Sequence, residues 1–422
     1  MLRTHVTALP MLVLAGAVVA LTLFAARAGA QAKNTESVLY GFCRQQGCAD
    51  GAYPAASLLA DKMGDLYGTT SEGGAGGCTG GCGTVFKITA GGTETVLYSF
   101  SGGDDGADPR AVLIADKKGN FYGTTYGGGI PECGIDGSSG CGLVFKLSPN
   151  GTEKVLHSFA GGNNDGNFPL AGLVSDENGN YYGTTQAGGA YAGGTAFKLA
   201  PHGMETVLHA FGSGSDGLYP EATLIADKGG NLYGTTSIGG SGSCSGYYGP
   251  GCGTVFKLAP DGSETVLYSF QGGSDGEEPN AALIADGNGN LYGTTFIGGG
   301  TGCGGFGCGT VFEITSGGAE TVLYSFPGGN DGESPAGLVA DKKGNFYGTT
   351  VSGGAYGLGT AFRLAPGGTE TVLHSFGYGV DGATPLPLIE GGKGDFYGTT
   401  YSGGGGDCGE GYGCGTVFKL KE

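Results

Sequence analysis

Residues 341–350 read DKKGNFYGTT, and the tetrad YGTT that ends this stretch occurs seven times in the chain. Successive copies are separated by 50 to 60 residues, and each interval carries strand signals with no glycine-free helical period. The copies begin at Tyr67, Tyr122, Tyr182, Tyr233, Tyr292, Tyr347 and Tyr397. Repeats of this length and composition are typical of propeller blades, whereas the rungs of a solenoid are shorter. The sequence therefore predicts an all-β fold, a seven-bladed β-propeller.

Each repeat contains four strand signals. In the second repeat they are AVLIAD at 111–116, the YGTT segment at 120–125, LVFKL at 143–147 and VLHSF at 155–159. The segments are rich in β-branched and aromatic residues and are bounded by Gly, Asn, Asp and Pro. Segments such as VLYSF are apolar on both faces, as expected for a sheet packed between two others. We predict four antiparallel strands per blade.

The two ends of the chain complete each other. The last repeat stops at Leu420, after its third strand, and lacks a VLYSF-type segment. The missing type of segment, VLYGF, occurs near the N-terminus at 38–42. We predict that the N-terminal strand, residues 37–42, completes the last blade and closes the ring, which removes an exposed sheet edge. A single propeller domain would then span residues 31–422.

The first 30 residues resemble a secretory signal peptide. Arg3 and His5 form a basic start, an apolar run covers residues 11–24, and the small residues 28–30 offer a cleavage site. The alternative, a membrane-spanning helix, is less favoured because the run is short and no stop-transfer flank follows. We predict secretion to the extracellular space or the periplasm.

The charge excludes several classes of partner. Without Arg3 and Arg27, 18 basic residues face 38 acidic ones, a formal net charge of about −20. Such a surface repels phosphate backbones and anionic lipids. We expect no nucleic-acid partner, no membrane span and a monomer.

Two elaborate connections per blade share one face. One carries the motif Asp-Gly-x-x-Pro, and the other is rich in glycine and cysteine. The motif occurs seven times, beginning at Asp50, Asp105, Asp165, Asp216, Asp275, Asp331 and Asp381. These carboxylates could bind calcium, which prefers six to eight oxygens. We favour the alternative, an Asx-type turn before the proline, because every blade has the motif. No other cofactor is expected.

The twelve cysteines form six close pairs, and five of these lie in the loop before the third strand. The pairs are Cys43 and Cys48, Cys78 and Cys82, Cys133 and Cys141, Cys244 and Cys252, Cys303 and Cys308, Cys408 and Cys414. In a secreted chain the pattern predicts disulfides that brace long loops. Zinc is the alternative, but no histidine lies beside a pair to complete a ligand set.

No catalytic motif is present, so we assign no catalytic residue. His157, His209 and His374 replace a tyrosine of the fourth strand, which indicates a packing position. Arg44 and Arg110 break the repeat symmetry in loops of the elaborate face. Together they could hold a carboxylate or sulfate group, and they are the candidate ligand-binding residues.

The repeats resemble a known family. The patterns DKKGNFYGTT at 341–350, GTVFKL at 253–258 and GGTETVLYSF at 91–100 are similar to the Gloeo/Verruco (GloVer) tandem repeat. The resemblance implies a bacterial extracellular repeat protein, often with a C-terminal anchoring tail, and no established activity. Here Glu422 follows the last strand almost at once, so we expect release or periplasmic retention rather than anchoring.

Two functions fit these features. The first is a non-catalytic binding or scaffold protein whose disulfide-braced loop face meets a protein, glycan or cell-wall ligand. The second is a secreted hydrolase or lyase that acts on a carbohydrate at the channel mouth. A pocket lined by acid, histidine or arginine from neighbouring blades would favour the enzyme, and a shallow symmetric rim would favour binding.

Overall fold

The structure is a computed structural model, and it describes residues 36–131, 140–212, 214–246, 249–377, 379–392, 394–406, 408 and 413–422. The predicted signal peptide at 1–30 and Cys133 lie outside the described residues. Within the described residues, no helix is long and apolar enough to cross a membrane.

The described chain forms seven four-stranded antiparallel blades, as the repeat predicts. The innermost strands are Leu59–Ala60, Ile114–Ala115, Val174–Ser175, Ile225–Ala226, Ile284–Ala285, Glu333–Ala340 and Ile389–Gly392. The second strands are Leu66–Glu72, Phe121–Thr125, Tyr181–Thr185, Leu232–Thr236, Leu291–Thr295, Phe346–Ser352 and Asp395–Ser402. The third strands are Thr84–Ile88, Leu143–Leu147, Thr195–Leu199, Thr254–Leu258, Thr310–Ile314, Thr360–Leu364 and Thr416–Lys421. The outer strands are Glu94–Ser99, Glu153–Ser158, Glu205–Ala210, Glu264–Ser269, Glu320–Ser325, Glu370–Ser375 and Glu36–Gly41.

Shorter elements lie in the connections of the described chain. The additional strand pieces are Ala52–Pro54, Gly166–Asn167, Ala187–Gly188, Ser245–Gly246, Gly249–Pro250 and Ala383–Pro385. The 3₁₀ turns are Gln46–Cys48, Cys303–Gly305 and Gly329–Asp331.

The tetrad YGTT has a structural role at each position. In the fourth blade, the Tyr233 hydroxyl donates to the Asp227 carboxylate at 3.0 Å and so ties the strand to the preceding turn. A Cβ on Gly234 would lie 2.7 Å from the Phe256 ring, so glycine is needed for the two strands to pack. The second threonine, Thr236, shares a 2.8 Å hydrogen bond with Thr254 of the third strand.

The first threonine of the tetrad joins one blade to the next. Thr69 donates to the Ala111 carbonyl at 3.3 Å, and Thr124 donates to the Ala171 carbonyl at 3.1 Å. At the closure, Thr399 of the last blade donates to the Ala56 carbonyl of the first at 2.9 Å. Such a contact links each blade to the next except at the fifth, where Thr294 Oγ1 has no hydrogen-bond partner in the described chain.

Aromatic pairs also connect each blade to the next, near the outer strands. The phenylalanine after each outer strand packs edge-on or tilted against a phenylalanine in the third strand of the next blade, with ring centroids 4.9 to 5.2 Å apart. All of these phenylalanines are buried. Such pairs add to the energy of area burial, so each blade interface has its own apolar core.

The predicted closing strand is confirmed. Glu36–Gly41 pairs antiparallel with Thr416–Lys421, with Glu36 opposite Leu420 and Gly41 opposite Thr416. Phe42 follows the strand, is fully buried, and lies 4.9 Å from the Phe86 ring of the first blade. The N-terminal segment therefore links the last blade to the first.

The two elaborate connections lie on the same face, as predicted. In the first and second blades, the Gly129 N–H donates to the Gly103 carbonyl, which joins the loop of one blade to the linker that precedes it. The turns of the opposite face are short: in the first blade the Gly64 N–H donates to the Asp61 carbonyl, and the Asp65 N–H to the Asp61 carboxylate.

Candidate ligand site at the channel mouth

The residue before the proline of each Asp-Gly-x-x-Pro motif has an unusual backbone. In all seven blades it is not glycine, yet its φ lies between 56° and 60°. The residues are Tyr53, Asp108, Phe168, Tyr219, Glu278, Ser334 and Thr384. A left-handed conformation costs a non-glycine residue free energy and is retained where the surroundings determine it.

Hydrogen bonds from the residue after YGTT hold this conformation. The Tyr126 N–H donates to the Asp108 carbonyl at 2.9 Å, and the Gln186 N–H donates to the Phe168 carbonyl at 3.0 Å. We call this end of the channel, formed by the residue before each motif proline and the residue after each YGTT, the mouth. Its backbone repeats from blade to blade, while the side chains at these two positions differ. The mouth is where the repeat symmetry is broken.

Aromatic side chains occupy part of this rim. Tyr53 and Tyr401 stack with centroids 5.1 Å apart, and Tyr126 stacks on Phe168 at 4.9 Å. Each pair joins two neighbouring blades, so flat apolar surfaces lie next to the polar groups of the mouth.

A cavity of about 620 Å³ opens between the first two blades and extends to Tyr401. Arg110 lines it, with its guanidinium 2.8 Å from the Asp108 carboxylate and 4.8 Å from the centre of the Tyr126 ring. Burial and the charge of Asp108 raise the pKa of Glu72, which lies in the same lining. The cavity combines an aromatic wall with one cation and two carboxylates.

A second cavity, of about 510 Å³, spans the second to fifth blades and shares Tyr126 with the first. Its polar lining includes Glu221, Glu278 and Asn280, and Gln186 donates to Glu221 Oε1 at 2.6 Å. Burial raises the pKa of Glu221 although the bond from Gln186 lowers it. Burial and the charges of Glu277 and Glu221 raise the pKa of Glu278.

The two arginines that the sequence singles out do not lie in one site. Arg110 lines the first cavity, whereas Arg44 is exposed on the linker after the closing strand. The Arg44 guanidinium lies 5.1 Å from the centre of the Tyr40 ring. The described lining of the two cavities includes Arg110 and not Arg44.

The seven aspartates of the predicted calcium ring lie beside the outer strands. Tyr98 donates to Asp105 at 2.9 Å, and the Ser101 N–H donates to the same carboxylate at 2.9 Å. Asp50, fully buried, accepts from the Tyr40 hydroxyl at 2.7 Å and from the Arg44 N–H. Asp275 and Asp331 accept from the corresponding Tyr268 and Tyr324. Calcium binding at these residues stays a prediction.

The remaining three aspartates pair with histidine, which revises the packing interpretation of those histidines. His209 lies 3.0 Å from Asp216, His374 lies 3.0 Å from Asp381, and His157 lies 3.3 Å from Asp165. In His209 and His374 the ring nitrogen stands in for the tyrosine hydroxyl of the other blades, whereas His157 Nε2 lies near Asp165 without a hydrogen bond in the described chain. These histidines therefore bridge the outer strand and the linker of their blade.

A ring of glutamates escaped the sequence analysis. Each outer strand begins with a glutamate whose Oε1 is buried and has no hydrogen-bond partner in the described part of the chain. Burial, followed by the charge of the aspartate that precedes it in the ring, raises each pKa from 4.5 to about 7. The residues are Glu36, Glu94, Glu153, Glu205, Glu264, Glu320 and Glu370. In the sequence they look like ordinary turn residues of the GGTE motif.

Two of these glutamates lie close to a histidine and an aspartate. The ligand atoms of Glu36, His374 and Asp381 lie within 4.8 Å of one another, as do those of His157, Asp165 and Glu205.

Five of the six predicted cysteine pairs are disulfides in the structure: Cys43–Cys48, Cys78–Cys82, Cys244–Cys252, Cys303–Cys308 and Cys408–Cys414. The sixth pair includes Cys133, which lies outside the described residues. The disulfides lie in the loops and the linker of the elaborate face, as expected.

Several solved structures are similar to this chain at low sequence identity. The extracellular domain of a protein described as a one-component system from B. thetaiotaomicron is 13% identical, with a TM-score of 0.52, 92% of this chain covered and 42% of that one. A gluconolactonase from Xanthomonas campestris is 15% identical, with a TM-score of 0.40 and coverage of 66% and 78%. A protein described as a 6-phosphogluconolactonase from Bacteroides uniformis is 15% identical, with a TM-score of 0.48 and coverage of 81% and 88%. At these identities the likeness concerns the fold alone.

Comparison with functionally curated proteins finds no match. The Gloeobacter/Verrucomicrobia repeat model matches residues 22–248 and 301–422, which is most of the chain. The chain belongs to the Gloeobacter/Verrucomicrobia repeat family.

Proposed function

We propose that this chain is a secreted, non-catalytic binding protein that holds a carbohydrate at the mouth of its channel. The observation that carries the proposal is the break of symmetry at the mouth, where stacked aromatic pairs border two adjoining cavities. A structural rim would need only the repeated backbone, and the varied side chains serve recognition.

The lining suits a sugar. The flat rings of Tyr126, Phe168 and Tyr401 match the apolar faces of pyranose rings, while the amide of Gln186 and the carboxylate of Glu278 can bind hydroxyl groups. The two cavities have the size of ligand pockets and share one wall, so an oligosaccharide could span both.

Binding is tested by calorimetry with a panel of neutral and anionic oligosaccharides. We expect Tyr126→Ala to weaken binding at least tenfold, because Tyr126 lines both cavities. The control is Tyr356→Ala, which truncates a tyrosine that is 62% exposed in a sixth-blade loop. Binding that is unchanged in the Tyr126 variant, or lost equally in both variants, would exclude the mouth.

Hydrolysis or lyase chemistry is a second candidate because of the two carboxylates in the second cavity. Glu221 and Glu278 come from neighbouring blades, and the pKa of each is raised. Two carboxyl groups, one protonated and one ionised, can act as general acid and general base on a glycosidic bond. The lining by acid residues of neighbouring blades is the feature expected of an enzyme.

Turnover of the bound oligosaccharide separates the two functions. If the chain is an enzyme, Glu221→Gln and Glu278→Gln each reduce kcat by two orders of magnitude or more while binding persists. Glu177→Gln is the control, since Glu177 is exposed and is not in the described cavity lining. Binding without product by the unaltered protein supports the non-catalytic proposal.

A further inference from the structure

Two cysteine pairs from opposite ends of the chain meet where the ring closes. Cys43 and Cys48 lie in the linker after the closing strand, and Cys408 and Cys414 lie in the loop before the last strand. All four sulfur atoms are within 4.8 Å of one another. In this structure each pair is a disulfide.

The meeting follows from the blade geometry. In other blades with a loop disulfide, the linker after the outer strand places a glycine over the sulfur atoms. A Cβ on Gly272 would lie 2.5 Å from Cys244 Sγ, and one on Gly328 would lie 2.8 Å from Cys308 Sγ. In the last blade the linker carries Cys43 directly after Phe42, one position before the equivalent of that glycine, so two cysteine pairs share the space. No other group of four cysteines occurs among the described residues.

The surroundings enclose the cluster. Cys414 is fully buried, and the other three cysteines are half-buried against the core that contains Phe42. Tyr53 donates a hydrogen bond to the Cys408 carbonyl at 3.3 Å, which fixes the last-blade loop against the first blade. The four side chains are thus held together by the fold on both sides of the closure.

We propose that these four cysteines, when reduced, form one tetrathiolate site for zinc. Zinc takes four sulfur ligands at about 2.3 Å in a tetrahedron, which places the sulfur atoms roughly 3.8 Å apart. That separation is below the 4.8 Å limit within which the four sulfur atoms already lie. Thiolate donors favour zinc over hard ions such as magnesium and calcium. The missing ligands of each pair, which argued against zinc in the sequence, are the cysteines of the other pair.

The oxidised and metal-bound forms are linked by a balanced reaction. A dithiol reductant gives two electrons and two protons to each disulfide and is itself oxidised to a disulfide. The four thiols then bind Zn²⁺ and release their protons to solvent. The metal would join the closing strand to the last blade, so it would stabilise the ring by its binding free energy.

Cobalt provides the direct test. The protein is reduced with a phosphine and titrated anaerobically with Co²⁺, whose tetrahedral thiolate complexes absorb intensely in the visible region. We expect one Co²⁺ per chain with a tetrathiolate spectrum, and its displacement by Zn²⁺. The double variant Cys408→Ser/Cys414→Ser should lose this spectrum. The matched variant Cys78→Ser/Cys82→Ser, which removes an isolated loop pair, should retain it.

A second readout does not depend on variants. Alkylation of the reduced, zinc-loaded protein followed by mass spectrometry should show Cys43, Cys48, Cys408 and Cys414 protected together, while Cys78 and Cys82 react. The proposal is overturned if the unaltered protein gives no tetrathiolate spectrum. It is also overturned if zinc protects the isolated pairs as well as these four cysteines.

Discussion

The first threonine of YGTT supports the ring at the scale of a single hydroxyl group. Thr124 is buried and donates to the Ala171 carbonyl of the next blade at 3.1 Å. Thr294 occupies the same position in the fifth blade and is equally buried. Its Oγ1 has no hydrogen-bond partner in the described chain.

These two threonines form a matched pair for mutation. We expect Thr124→Val to lower the free energy of unfolding by about 1–2 kcal/mol, because it leaves a buried carbonyl unpaired. Thr294→Val should be neutral or stabilising, since it removes a buried hydroxyl without a partner. Chemical denaturation monitored by circular dichroism measures both. Equal losses in the two variants would show that the Thr124 hydrogen bond makes no net contribution.

At the scale of the residue, part of the lining of the mouth could be predicted from the sequence and part could not. Arg110 stands out in the sequence because a repeat with few arginines makes it conspicuous. Glu221 and Glu278 do not stand out, because the chain has many carboxylates and their place in one cavity with Gln186 depends on how the blades assemble. A comparison of the residues on either side of each motif proline would have located both.

At the scale of the element, the closing strand differs from the other outer strands in how it is held. Each internal outer strand continues from its third strand through a short turn, whereas Glu36–Gly41 is joined to Thr416–Lys421 by pairing alone. Phe42 is its main apolar anchor and contacts Phe86 of the first blade. The strand should therefore open more readily than its counterparts.

Truncation of this anchor tests the difference. Phe42→Ala should cost about 3–5 kcal/mol through lost burial and a cavity. Hydrogen exchange should rise specifically in residues 36–41 and 416–421. Phe100→Ala removes the equivalent ring in the first blade and should leave exchange in 36–41 and 416–421 unchanged. If hydrogen exchange rises in all blades together in both variants, the closing strand does not open as a separate unit.

The elements themselves could be predicted from the sequence because the repeat fixes strand number, and strand number requires the N-terminal segment to complete the last blade. The contact between Cys43 and Cys408 could not be predicted from the sequence, because it depends on which linker position lies over a loop disulfide. The pairing of His209 with Asp216 was also missed, since the residues are separated by a turn whose geometry the sequence does not specify.

At the scale of the whole molecule, the seven glutamates at blade interfaces make stability depend on pH. Each has a pKa of about 7 in the folded protein against an ordinary value of 4.5. Between these values the unfolded chain has released protons that the folded chain retains, so folding is favoured by acid. Stability should be fully present below about pH 4.5 as far as these groups are concerned, and should fall as the pH rises through 7.

The turn aspartates act in the opposite direction at lower pH. Burial raises the pKa of Asp116 and Asp176, but hydrogen bonds from Asn120 and Asn180 and from backbone N–H groups outweigh it, and the net pKa is lowered. Their contribution to stability is present above the ordinary value of 3.8 and is lost as the pH falls through the lowered values. The melting temperature should therefore be highest near pH 5 and lower at both pH 8 and pH 3.

One glutamate can separate this effect from other sources of pH dependence. Glu94→Gln removes the charge that lies near Asp50, so we expect a higher melting temperature than the unaltered protein at pH 8 and little difference at pH 5. Glu177→Gln changes an exposed carboxylate and should leave the whole profile unchanged. Thermal unfolding at constant ionic strength measures the three profiles. A Glu94 variant whose melting temperature stays parallel to that of the unaltered protein from pH 5 to pH 8 would contradict proton uptake at the blade interfaces. A flattened profile in that variant would instead assign part of the acid stabilisation to the contact between the last blade and the first.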